Sequence, residues 1–224
     1  MYFEPYQLYN VYNRGNNSQQ IFHSHDHYSI FKLKIKEILL GYCEIIAYCL
    51  MPNHYHMMVF PVRVQIGKEF RIVFKPDALF HPLVRKIGTL QSSYTRLLNH
   101  ESKNTGSIFQ QKAKSKELDL NSSYPLTCFH YIHQNPYRSE LIQTLDQWEY
   151  SSYYCYAGYS NDQLINKKLA NELLGISLDP LNFRSESESY IINDTSQLFC
   201  KQDRRDQIGN FYNTNSFSMH EKGK

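Results

Sequence analysis

The chain has 224 residues and a mass of 26.6 kDa, with 24 lysines and arginines against 21 aspartates and glutamates, a formal net charge of +3. Hydrophobic residues make up 42% and charged residues 20%, which excludes a wholly disordered or fibrous chain and fits one domain with a tail. No apolar run reaches the roughly 18 residues a membrane span needs, and the start MYFEPYQLYN lacks the basic and apolar regions of a secretory signal.

In chain order, the alternation of Tyr6 to Tyr12 predicts a first strand, and Asn13 to Asn17 a turn rich in Asn and Gly. His27 to Leu40 carries apolar residues at helical spacing (Ile30, Phe31, Ile35, Ile38, Leu39). Glu44 to Leu50 and His54 to Phe60 read as two strands of a hairpin, interrupted by Met51-Pro52-Asn53 because proline lacks a ladder donor. Pro61 to Phe80 shows no element, and Pro82 to Leu98 is a second helix with Leu83, Ile87, Leu90, Tyr94 and Leu97 on one stripe. Ser107 to Leu118 alternates as a basic strand, and Tyr124 to His133 is helical with a break or kink expected at Asn135-Pro136. Asp146 to Tyr159 is aromatic and irregular, and Leu164 to Leu174 is a short helix ended by Gly175. Beyond Pro180 the chain is Ser/Asn/Asp-rich with six bases and six acids, the composition of a poorly packed tail. The expected organisation is therefore a domain over 1–160, a helical extension over 161–179 and a flexible tail over 180–224.

The small net charge conceals an asymmetry. Between Arg63 and Lys116 eleven bases stand against three acids, a surplus of eight, so the rest of the chain is acidic by five. A basic central segment suits a phosphate backbone, and equally a solvated helix face. The five cysteines (Cys43, Cys49, Cys128, Cys155, Cys200) are scattered and form no CxxC, which fits reduced cytoplasmic thiols better than a disulfide framework or a zinc ribbon.

Two clusters could carry chemistry. In His54-Tyr55-His56 a strand would project both imidazoles from one face, half of a divalent-metal site, with Tyr55 on the other. In FHYIHQNP a helix would set Tyr131 and Asn135 one turn apart, a phenol nucleophile beside an amide ligand. A packing tyrosine and a C-capping asparagine would use the same residues. His23, His25 and His27 alternate around Asp26 as a second metal cluster or a solvated loop.

The segments YNVYNRGNN, AYCLMPNHYHMMV, LQSSYTRLLN, GSIFQQKAKSKEL, FHYIHQNPYRSEL and WEYSSYYCYAG, taken in this order, resemble the single-tyrosine HUH transposases, above all the REP-associated tyrosine transposases. The resemblance runs from about Gln7 to Gly158, with CLMPNHYH and YIHQNP its most specific blocks. It implies an α+β fold, an antiparallel ferredoxin/RRM-like sheet with helices packed on it. It further implies that His54, His56 and Asn135 hold one divalent ion, Mg²⁺ or Mn²⁺, and that Tyr131 attacks single-stranded DNA at hairpin-flanked sites. The asparagine follows the REP-associated branch, where smaller insertion-sequence enzymes carry glutamine. A relaxase or replication initiator would use the same chemistry, and a binding protein on this fold would have lost it.

Asn13, Arg14, Arg96, Lys112 and Lys114 are the expected DNA contacts, with His133 a candidate proton shuttle. A monomer is expected, as in that branch, although smaller relatives are dimers; neither a membrane nor a small-molecule substrate is implied.

Overall fold

In the computed structural model, which describes residues 1–62 and 82–192, four strands form one antiparallel sheet: β1 (Leu8–Arg14), β2 (Cys43–Met51), β3 (His54–Pro61) and β4 (Lys114–Leu118). Their spatial order is β2-β3-β1-β4, so consecutive β2 and β3 pair as a hairpin while β1 and β4 meet from opposite ends of the chain. With α1 (His25–Leu39) between β1 and β2 and α2 (Pro82–Ser102) between β3 and β4, this is the ferredoxin-like β-α-β-β-α-β arrangement expected. The expected absence of an element over 61–80 falls largely on residues outside those described. So do Arg63, Lys68, Arg71, Lys75, Cys200 and the chain from 193 onward.

One layer covers each face of the sheet. On the first, α1 buries Tyr28, Phe31, Ile35 and Leu39 and α2 buries Leu83, Ile87, Leu90, Tyr94 and Leu98, both at three- and four-residue spacing. Between them Phe31, Tyr55, Tyr94 and Phe109 form an aromatic centre, with Phe31 and Tyr94 edge to face at 4.9 Å. On the second face lies α3 (Tyr124–Arg138), packed chiefly on β2. The segment after it adds to the β2 edge, where Leu50 N–H donates to Tyr150 O and Ser152 N–H to Tyr48 O, both at 2.9 Å. It then forms α4 (Tyr153–Tyr156), α5 (Lys167–Leu174) and α6 (Pro180–Ile192). Gly175 closes α5 at φ 69°, a left-handed cap that favours glycine.

Two expectations are corrected. The helix carrying Tyr131 does not break at Asn135-Pro136 but runs on to Arg138. Proline removes the donor that Ile132 C=O would have received, and the Asn135 side chain replaces it, Nδ2 donating to Ile132 O at 3.3 Å and Tyr131 O at 2.9 Å. The chain after Pro180 also begins as a packed helix. Phe183 of α6 is fully buried against Phe129, Tyr153 and Tyr156, and Ser187 meets His130 Nδ1 at 3.2 Å.

His130 is sealed between α3 and α6, stacked on Tyr190 at 4.1 Å, and burial lowers its pKa to about 4. The unfolded chain binds this proton more readily than the folded one between about pH 6.5 and pH 4. Stability is therefore full above pH 6.5 and falls as pH drops towards 4, by on the order of 3 kcal/mol for this residue alone. Urea denaturation across that range should show the loss, and His130→Leu should flatten its slope by about one proton.

Candidate active site

Because β3 is an interior strand, its alternation divides its residues cleanly between the two layers. Tyr55 points to the α1–α2 side, where its hydroxyl accepts from Gln91 Nε2 at 2.8 Å. His54 and His56 point to the α3 side, with ring centroids 5.4 Å apart. Across the same face the register sets Cys49, His56, Tyr12 and Lys114 in one row over the four strands, and Met51, His54 and Arg14 in the next.

From α3, Tyr131 meets this face edge-on, its ring centroid 6.1 Å from that of His56. Tyr131 is buried, as is Asn135 one turn on. Both donor bonds of Asn135 Nδ2 run to its own helix, which turns Oδ1 away from the helix backbone. The side chain lies near enough to His54 to favour the charged ring. It does not complete a hydrogen bond of good geometry, for His54 Nε2 is a buried atom with no partner.

Two asparagines outside the predicted set orient the imidazoles. Asn53 Oδ1 sits 2.7 Å from His54 Nδ1, and Asn10 Oδ1 sits 3.4 Å from His56 Nδ1. An amide oxygen can only accept, so each Nδ1 carries the proton and each Nε2 keeps its lone pair. Burial, then the Arg14 guanidinium, lowers the His54 pKa to about 4, with Asn135 opposing the shift. Burial, then His54, holds His56 well below the usual histidine range. Both rings are neutral bases at pH 7.

These residues fit a divalent ion. Two neutral imidazole nitrogens and an amide oxygen are suitable donors, the donated Nδ1 protons are the outer support such ligands need, and the orphaned His54 Nε2 is the atom a cation would satisfy. Among the described residues no group of three or more His, Cys, Asp or Glu could hold a metal, so His23, His25 and His27 form no such cluster. His27 instead faces Glu101 at 2.8 Å, and His25 meets Tyr150 at 3.1 Å.

The expected DNA contacts separate. Arg14 lies opposite His54 and Lys114 opposite Tyr12, both on the His54–His56 face. Lys116, in the basic segment but not among the expected contacts, shares that face opposite Asn10. Lys112 is exposed and lines a shallow depression along β4 with Tyr2, Tyr9, Tyr12 and Lys114. Asn13 points the other way and is buried, Nδ2 donating to Gln110 O at 3.1 Å and Oδ1 accepting from Arg14 N–H at 2.9 Å. Arg96 is exposed on α2, in the layer across the sheet. His133 stands about 200° around α3 from Tyr131. Its Nε2 lies 2.6 Å from Ser152 Oγ, and burial keeps the ring neutral.

No family model matches the chain, and no curated protein matches it. Among solved structures, the chain is similar to a REP-associated tyrosine transposase bound to a REP hairpin, at 14% identity and a TM-score of 0.51, covering 73% of this chain and 86% of that one. This likeness shows the fold, and it is the fold that the sequence resemblance implied. A bacterial tRNA(His) guanylyltransferase-like protein in complex with GTP also aligns, at 8% identity and a TM-score of 0.37, over 60% of this chain and 64% of that one, too distantly to carry an argument. No described helix is long and apolar enough to cross a membrane.

The tautomers are directly measurable. In ¹⁵N NMR at pH 7, His54 and His56 should both be neutral with the proton on Nδ1, and Asn10→Ala should turn His56 into a mixture of tautomers while leaving His54 as it was.

Proposed function

We propose that the protein is a metal-dependent transposase that nicks and rejoins single-stranded DNA at hairpin-flanked sites through a 5′-phosphotyrosine. The observation that carries this reading is the convergence across one interface: two neutral imidazoles on β3 face Tyr131, with an amide held one helical turn on. The fold shared with a transposase whose structure holds a REP hairpin supports DNA as the substrate.

His54 Nε2, His56 Nε2 and Asn135 Oδ1 would hold the ion, Mg²⁺ or Mn²⁺. When bound, such an ion draws charge from the non-bridging phosphate oxygens and fixes the scissile group. The Tyr131 hydroxyl oxygen attacks phosphorus, the bond to the 3′-oxygen breaks, and the phenol proton is balanced by protonation of that oxygen. A phenol ionises near pH 10, so the attack calls for a positive field, to which Arg14 beside His54 would add. The products are a 5′-phosphate ester on Tyr131 and a free 3′-hydroxyl. Because the ester retains the energy of the broken bond, a second 3′-hydroxyl can attack it and release the phenol, rejoining strands without ATP. Tyr12 and the lysines of β4 would lie along the strand's path, ring and cation together suiting a single strand.

The reading sets the protein in the cytoplasm as a monomer, where the four cysteines among the described residues (Cys43, Cys49, Cys128, Cys155), all buried, stay reduced thiols.

Incubation with a single-stranded hairpin oligonucleotide and Mn²⁺ should give a covalent adduct on a denaturing gel. Tyr131→Phe should abolish it, and His54→Ala/His56→Ala should reduce it about a hundredfold or more; an adduct that survives Tyr131→Phe overturns the assignment of the nucleophile. Separately, Lys114→Ala/Lys116→Ala should lower the salt dependence of oligonucleotide binding by about 1.4 units of slope, roughly 0.7 for each lost contact to a single strand, while Arg96→Ala, across the sheet, leaves it unchanged.

A further inference from the structure

The donor set of His54, His56 and Asn135 contains no negative charge. Two neutral rings and an amide offer lone pairs only, whereas a divalent ion brings two positive charges into a covered site. Beside it stands a fixed cation. Arg14 is the residue directly opposite His54 in the β1–β3 pairing, and its guanidinium disfavours a proton on that ring. Arg14 Nη2 is anchored, donating to Ser18 Oγ at 2.7 Å. Its Nε is buried with no partner, and among the described residues no carboxylate neutralises it. A half-buried guanidinium with an unused donor and no counter-ion is a site for an oxyanion, and its planar fork matches a phosphate better than a point cation would.

We propose that Arg14 keeps the cation site weak until a phosphodiester occupies the space between them, so that metal occupancy follows DNA binding. This rests on the reading of His54, His56 and Asn135 given above. An ion alone would raise the local charge beside an existing guanidinium, and that repulsion is strong in a covered site. One bridging phosphate faces both cations and offsets the repulsion between them. The consequence is economical for a strand-transfer enzyme: a phosphate-free site holds its ion poorly, so the reactive assembly forms only around substrate.

Charge repulsion has a signature that loss of structure does not share. The experiment uses full-length Tyr131→Phe protein, which cannot cleave, and follows Mn²⁺ by titration calorimetry and by the electron paramagnetic resonance signal of free Mn²⁺. A single-stranded oligonucleotide is titrated separately in EDTA. Arg14→Gln should tighten Mn²⁺ on DNA-free protein about tenfold while weakening the oligonucleotide about tenfold. Arg14→Lys, which keeps the charge, should restore most of both values. A residue of merely structural importance would weaken both ligands together. Should Arg14→Gln fail to fold by circular dichroism, the parent protein still decides the matter. Oligonucleotide must tighten Mn²⁺, and by linkage Mn²⁺ must tighten oligonucleotide by the same factor, at least about tenfold.

Unchanged or weaker Mn²⁺ binding in folded Arg14→Gln, or no mutual effect in the parent, overturns the proposal and leaves the assigned function standing. Failure of Mn²⁺ to bind with DNA present, or binding that survives His54→Ala/His56→Ala, overturns the function itself and the proposal with it.

Discussion

β3 is paired on both sides, to β2 and to β1, and successive side chains along it must leave the sheet in opposite directions. A slip of one residue would send His54 and His56 into the aromatic layer and Tyr55 towards Tyr131. The register is therefore the constraint on which the site depends, and several contacts fix it where the hairpin turns. Ile21 and Phe22 both donate backbone N–H groups to Pro52 O, at 2.7 and 3.0 Å, and Gly15 N–H donates to Asn53 O at 2.8 Å. Gly15 is required there, since a Cβ would lie 2.2 Å from Gln19 O. The turn so held also delivers Asn53, whose amide oxygen orients the first histidine it precedes. Hairpin geometry and imidazole chemistry are thus set by the same few residues.

The facing helix solves a different problem, that of keeping an asparagine amide still in a covered site. Pro136 would ordinarily cost α3 a hydrogen bond and invite a kink. Here the missing donor is supplied by the neighbouring side chain, and the helix continues. The proline and the asparagine act together: one leaves a carbonyl open and the other is immobilised by filling it. Behind them, Gln134 Nε2 donates to Ser187 O at 3.3 Å and Phe183 closes the aromatic cluster, so α6 braces α3. Rigidity in α3 fixes the separation at which Tyr131 meets His56 of β3.

The paired histidines could be read from the sequence because strand period alone decides which side chains share a face, and the Tyr131–Asn135 spacing because one helical turn decides the other half. What remained hidden required knowledge of neighbours distant in the chain. Asn10 becomes a histidine partner only once β1 is laid beside β3, and no local pattern distinguishes it from any other strand asparagine. The α6 segment has the composition of a tail because its apolar residues follow no clear helical period, yet buried Phe183 and Ser187, Tyr190 stacked on His130 and Arg184 bonded to Ala157 O seat it. A first strand that stops at Tyr12 leaves Asn13 and Arg14 together in one turn, with no difference between them. Extended through Arg14, β1 sends the arginine to the histidine face and turns the asparagine inward.

Charge along a sequence is a poor guide to charge in space for the same reason. The basic surplus between Arg63 and Lys116 looks like one phosphate-binding face, but the described part of it divides across the sheet. Arg96 projects from α2 on one layer, while Lys114 and Lys116 rise from β4 on the other. What a phosphate chain would meet is fixed by the rows that β3, β1 and β4 make together. His56, Tyr12 and Lys114 form one such row and His54 with Arg14 the next, so bases, ring and cations follow one another over two neighbouring rows. Within that arrangement the tyrosines also divide by role. Tyr12 stacks on His56 at 5.3 Å and stays half-buried, Tyr55 is sealed in the opposite layer, and from the facing helix Tyr131 meets His56 while Tyr124 meets Lys116 of β4. A tyrosine-rich composition names a residue type; the pleat of one interior strand and the turn of one helix decide which phenol faces the paired histidines.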